Sequence, residues 1–199
     1  CRTEGGLRRS IECFERAVGW DPRCAAAYAA LGEAHLMLGW RGYAPPAEIA
    51  PLARQALARA LAIDPRSALA HAARAFLSAF IDRDLRASDE ALSISAGIAS
   101  AHDRSAWLGG LVHLAAGSSG AALRVLEAGL VLDPLSPNLA IARALALWFA
   151  DRHEEALAAA RELTEAEPEF PAAHALRADV AATIERHEEA LRSATIADE

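Results

Sequence analysis

The chain has 199 residues and a formal charge of −7, with all 20 basic residues Arg and only 6% aromatics; 51 residues are Ala. Without Lys there is no phosphate-binding Walker lysine, no Schiff base and no Ser-x-x-Lys nucleophile. Arg scattered singly among Asp and Glu argues against a nucleic-acid backbone as partner, and no apolar run reaches the ~18 residues of a membrane span. Ala favours helix and fills a sheet face poorly, so the composition predicts an all-α chain of closely packed helices.

In chain order, the periodicity predicts a lone helix over 6–19, then pairs at 24–39 with 47–63, 67–80 with 84–97, 102–116 with 119–132, 136–150 with 153–166, and 170–183 with 187–197. That is about eleven helices. Gly39–Ala50 is expected as an extended loop, since it holds Gly, Tyr and a Pro-Pro step. Ser95–Ser105 lacks a terminal Pro, so the third pair reads as degenerate. Cys1, Cys13 and Cys24 match neither a zinc nor a disulfide pattern, and Cys13 and Cys24 are expected as small core residues of a cytoplasmic protein. The start at Cys1, without Met or signal peptide, suggests a fragment of a longer protein.

One period organises these helices. Arg152-His153-Glu154-Glu155-Ala156-Leu157 recurs letter for letter as Arg186-His187-Glu188-Glu189-Ala190-Leu191, an offset of 34 residues, and Pro134 to Pro168 keeps the same step. Asp21-Pro22, Asp64-Pro65 and Asp133-Pro134 each close an Ala-rich segment. Within the period, a small residue is followed by a large one four later, a small one three later and Pro five later: Ser10, Phe14, Ala17, Pro22; Ala53, Leu57, Ala60, Pro65; Ala122, Leu126, Gly129, Pro134. Helices approach closely only where side chains are small, so these Ala and Gly mark crossing points. Pro stops each second helix.

This pattern, with Tyr28, Leu31 and Gly32 in the first helix of a pair and a looser match at Leu108-Gly109, resembles the tetratricopeptide repeat. The resemblance implies a right-handed α-α superhelix. It predicts a single solenoid domain over 1–199, with a half repeat at 6–22 and full repeats at about 23–66, 67–101, 102–135, 136–169 and 170–199. The Pro-Pro-Ala-Glu loop, Asp82-Arg83-Asp84 and Leu132–Pro137 look like a subgroup in which such repeats form the C-terminal half of bacterial signalling proteins. There the other half is a winged-helix DNA-binding domain, an adenylate cyclase or a kinase.

The resemblance also implies a concave groove lined by repeat positions 2, 5, 9, 12 and 13 of each first helix. In the fourth repeat this register gives Asp103, Ala106, Gly110, His113 and Leu114. The groove candidates for protein binding are Met37, Phe76, Phe80, His113, Leu145, Trp148 and Phe149. Whether the aromatics bind a partner or serve as core stays open at this point. The groove lacks the Lys, Asn and Arg clamp with which chaperone-tail binders of the family hold a terminal carboxylate. Position 7 is Arg in three repeats, Arg74, Arg143 and Arg177; a buried unpaired guanidinium costs several kcal/mol, so each should be partly exposed or meet an acid.

No catalytic or metal constellation emerges. His71, His174, His153 and His187 recur at matching places, as structural residues do, and Gly117–Gly120 lacks the spacing of a nucleophile elbow. The expectation is therefore a non-enzymatic, cytoplasmic interaction module without cofactor. Its partner would be a protein or peptide segment, or its own N-terminal output domain, with no nucleic acid and no membrane. The alternatives are a small-ligand sensor, or a homodimerisation scaffold using Trp20, Trp40 and Tyr43.

Overall fold

The structure is a computed structural model that describes residues 3–98 and 103–198. Eleven α-helices and no strand occur among the described residues: α1 (Glu4–Trp20), α2 (Ala25–Trp40), α3 (Pro46–Ile63), α4 (Ala68–Leu77), α5 (Leu85–Ala96), α6 (Asp103–Ala115), α7 (Ser119–Leu132), α8 (Pro137–Trp148), α9 (His153–Ala166), α10 (Pro171–Thr183) and α11 (His187–Asp198). The chain divides into two compact units, Cys1–Leu108 and Gly109–Glu199. In the first, α1 packs on α2, and α2/α3 and α4/α5 form hairpins. In the second, α7 packs on α8, α8/α9 and α10/α11 form hairpins, and α10 packs on α9.

The Asp-Pro steps have a shared local cause. Asp21, Asp64 and Asp133 each donate their N–H to the carbonyl four residues back, at Ala17 (2.9 Å), Ala60 (2.8 Å) and Gly129 (2.9 Å). Their carboxylates then accept from the backbone N–H two residues on, at Arg23, Arg66 and Leu135, closing an Asx turn around the Pro. Helix starts are secured by Thr3, Ser67 and Asp84, whose side chains accept from Gly6, Ala70 and Ala87. His71 and His174 are structural, as expected: each buried imidazole donates from Nε2 to a proline carbonyl, Pro65 or Pro168, at 2.9 Å.

Crossing points fall where the small residues were expected. Ala53, Ala60, Ala122 and Ala156 are fully buried. A Cβ on Gly32 would stand 2.7 Å from Leu57, and one on Gly110 would stand 2.5 Å from Leu126. The fourth pair therefore crosses at Gly110, not at Gly109, which moves its register by one residue.

Two irregular stretches differ from expectation. The Gly39–Ala50 loop shrinks to residues 41–45, because α2 runs on to Trp40 and α3 starts at Pro46, where proline suits the first helical turn. Gly42 takes a left-handed φ of 76°, and Tyr43 donates to the Leu38 carbonyl at 2.9 Å to end α2. In the third pair, a π-helical turn over Ser78–Asp82 takes up one extra residue between Ala75 and Ser88. Ser88 and Ser95 then bond across the hairpin to the carbonyls of Ala75 (2.8 Å) and Ala68 (2.9 Å). The end of this pair lies partly outside the described residues. Cys13 is exposed and Cys24 half-buried, so Cys13 is not a core residue. It shares the polar face of α1 with Arg9, Glu12 and Arg16.

The position-7 arginines behave as charge burial requires. Arg74 is half-buried, Arg143 lies 3.9 Å from Glu127, and Arg177 pairs with Glu189 at 2.8 Å. Glu189, 12% exposed, also takes Arg161 at 2.5 Å, tying α9, α10 and α11 together. The hydrogen bond from Arg161 and a second from Arg177 hold the Glu189 carboxyl down at about 2, against an ordinary 4.5.

Two expectations follow. Gly110→Ala gains up to ~1 kcal/mol of helix propensity but overpacks Leu126 by ~1–3 kcal/mol, so it destabilises on balance. Gly120→Ala meets nothing within 4 Å and should stabilise; opposite shifts of the urea midpoint check the pair. Because folding lowers the Glu189 pKa, its contribution of ~2 kcal/mol, discounted for the more exposed Arg161, is full above pH 4.5 and drains away towards pH 2. Denaturant unfolding from pH 5 to 2.5 should cost the wild type that much more stability than Glu189→Gln.

Candidate binding face

The groove positions of the first helices are more buried in the first unit than in the second. In the first unit most are core: Ala29, Glu33, Leu36 and Met37 of α2 are buried, as are Ala72, Phe76 and Ala79 on α4 and the π turn, whereas Ala26 is exposed and Leu69 half-buried. Phe76 is 1% exposed and lies 4.3 Å, centroid to centroid, from Phe80, which is half-buried. Trp40 closes this cluster edge-on, 5.3 Å from Phe76 and 4.7 Å from Phe80, and keeps 46% of its own surface exposed. Met37 and Phe76 are thus packing residues.

In the second unit the same positions are exposed on α10 and half-buried on α8. On α10, Ala172, Ala175, Asp179, Ala182 and Thr183 are all exposed. On α8, Asn138, Ile141, Leu145 and Trp148 are half-buried. Phe149, at the C-cap just beyond α8, is 59% exposed. The Trp148 and Phe149 rings stack at 5.6 Å with an interplanar angle of 10°. Trp148 donates from Nε1 to Thr183 Oγ1 at 3.2 Å, and that hydroxyl donates to the Asp179 carbonyl at 2.8 Å. The stack is therefore fixed from α10, and it offers a pre-ordered aromatic face at the end of an Ile141–Leu145 stripe. A rigid, part-exposed aromatic pair is the kind of anchor on which interface binding energy concentrates.

The shifted register changes the fourth repeat. Gly110 faces Leu126 within the helix pair, so the groove positions become Arg104, Trp107, Leu111, Leu114 and Ala115. His113, half-buried, falls one place off them. Arg104 was missed by the sequence reading, although it lies one 34-residue period before Asn138. It pairs with the buried Glu33 at 2.5 Å, which explains how a carboxylate is tolerated among the core positions of α2.

The first unit also holds a cavity of about 590 Å³, lined by Glu15, Tyr28, Leu31, His35, Leu52 and Arg59 among others. Burial holds the His35 imidazole below its ordinary value, with Glu15 pulling partly the other way. Among the described residues no group of three or more His, Cys, Asp or Glu could hold a metal, and no helix is long and apolar enough to cross a membrane.

No protein-family model matches the chain, and no curated protein matches it. Solved structures do. YrrB, described as a TPR protein with an unusual peptide-binding site, aligns at 17% identity over 94% of this chain and 91% of its own, with a TM-score of 0.59. The Pseudomonas aeruginosa pilF structure aligns at 21% identity over 90% of this chain and 77% of its own, with a TM-score of 0.69. The human IFIT1 dimer with PPP-AAAA gives a TM-score of 0.79 at 16% identity over 96% of this chain, which spans only 46% of the matched IFIT1 chain. At these identities the likeness speaks for the fold.

Core and binding aromatics should separate on truncation. Phe76→Ala should cost ~3–5 kcal/mol. Phe149→Ala, which removes a ring already mostly in water, should cost under ~1 kcal/mol. Urea unfolding of the two variants reads the difference.

Proposed function

We propose that this chain, with its tetratricopeptide-repeat fold, is a protein-interaction module that takes a segment of a partner protein on the α8/α10 face. Leu145, Trp148 and Phe149 serve as its apolar anchors. The observation that carries this reading is the exposure of every groove position of α10 beside a Trp148–Phe149 stack already fixed by Thr183. A preformed, rigid aromatic surface loses little conformational freedom on binding, so more of its contact energy appears as affinity. The work of such a module is non-catalytic. The resemblance to repeat regions of bacterial signalling proteins supports a place beside an output domain, with the repeats as one solenoid domain that passes occupancy on.

A small-ligand reading has one specific support, the 590 Å³ cavity floored by the buried His35. That volume lies within the range of small-molecule sites. A thermal shift with small metabolites that His35→Ala abolishes would favour it over the protein-segment reading.

Affinity capture from cell extract tests the main reading. Proteins held by the wild type should be lost from Phe149→Ala and from Leu145→Ala, while the melting temperature of Phe149→Ala stays within about 3 °C of wild type. Unchanged capture by both folded variants would contradict it.

A further inference from the structure

The two units differ in charge as well as in exposure. Residues 1–108 carry 13 Arg against 12 Asp and Glu, whereas residues 109–199 carry 7 Arg against 15, a net of −8. Five of those seven Arg are already engaged with acids of the same unit: Arg143, Arg152, Arg161, Arg177 and Arg186. The surplus is therefore carboxylate. One of these carboxylates, Asp179, stands exposed at a groove position of α10. It lies one helical turn from Thr183, the residue that holds the Trp148 indole.

We propose that the α8/α10 face binds a basic protein segment, with an Arg or Lys on Asp179 and an apolar or aromatic residue against the Phe149–Trp148 stack. The inference rests on the protein-segment reading above and names the chemistry of the partner. Side chains one turn apart on a helix are ~5–6 Å apart at their Cβ atoms, and an extended chain advances ~3.3 Å per residue. Thr183 bonds the Trp148 indole at 3.2 Å, so the basic residue and the residue that meets the stack sit about two to four positions apart in the bound segment. The net charge of this unit repels RNA and acidic peptides and steers a cationic segment inwards, so association should slow steeply as salt rises.

The test is fluorescence anisotropy with the whole chain and three labelled probes. One is the peptide Gly-Ser-Arg-Ser-Phe-Ser-Arg-Ser-Gly, the second its twin with Glu for each Arg, and the third a uridine decamer. The Arg peptide should bind about tenfold or more tighter than either of the others and weaken as salt is raised. Phe149→Ala should weaken it about tenfold and Asp179→Asn about three- to fivefold, while Trp20→Ala, an exposed ring on α1, leaves it unchanged. Equal or tighter binding of the Glu peptide or the RNA would overturn the inference. So would indifference of the Arg peptide to both face variants, or binding of no probe. If the Glu peptide wins but still responds to Phe149→Ala, the face remains a protein site and only its basic partner falls. If neither peptide responds to Phe149→Ala, both readings fall together.

Discussion

The close crossing of paired helices is the constraint on which the rest depends. Gly32 under Leu57 and Gly110 under Leu126 leave no room for a Cβ, and fully buried Ala53, Ala122 and Ala156 continue the pattern. With so few aromatics, the chain cannot fill wide gaps between helices; it brings backbones together instead and recovers dispersion energy through contact. The quarter of the chain that is Ala is thus the material of these crossings. Because each pair must cross at one residue, a single crossing fixes the facing of every other position in its repeat.

That dependence explains what could be read from the sequence. Helix bounds were legible to within a few residues, because Asp-Pro turns and Ser or Thr caps act locally. The fourth repeat was misread by one place because Gly109 and Gly110 both satisfy a Leu-Gly-like pattern, and only the partner Leu126 distinguishes them. Counting one period back from Asn138 would have found Arg104. The π turn at 78–82 and the shortened 41–45 loop were illegible for another reason: extra residues can be absorbed by a turn or by longer helices, and composition does not say which.

Exposure was the least legible property. Met37, Phe76, Leu145, Trp148 and Phe149 share equivalent repeat positions and similar apolarity, yet the first two are core and Phe149 is mostly in water. The difference arises from neighbours. Phe76 is enclosed by Trp40 and Phe80, one supplied by the extended end of α2 and the other by the π turn. Phe149 lies past the end of α8 and is 59% exposed, its ring stacked on Trp148, which Thr183 of α10 in turn holds. A surface that is apolar, fixed in place and set in a unit of net charge −8 is suited to recognition rather than to packing.

The contrast between the two faces can be measured directly on the aromatic rings. The chain has five Phe, so incorporation of fluorophenylalanine gives a small, assignable set of ¹⁹F resonances. The solvent-isotope shift between H₂O and D₂O should be largest for Phe149 and near zero for Phe76 and Phe170, which are 1% and 4% exposed. A solvent-shielded Phe149, or a Phe76 that responds to solvent as strongly, would contradict that contrast.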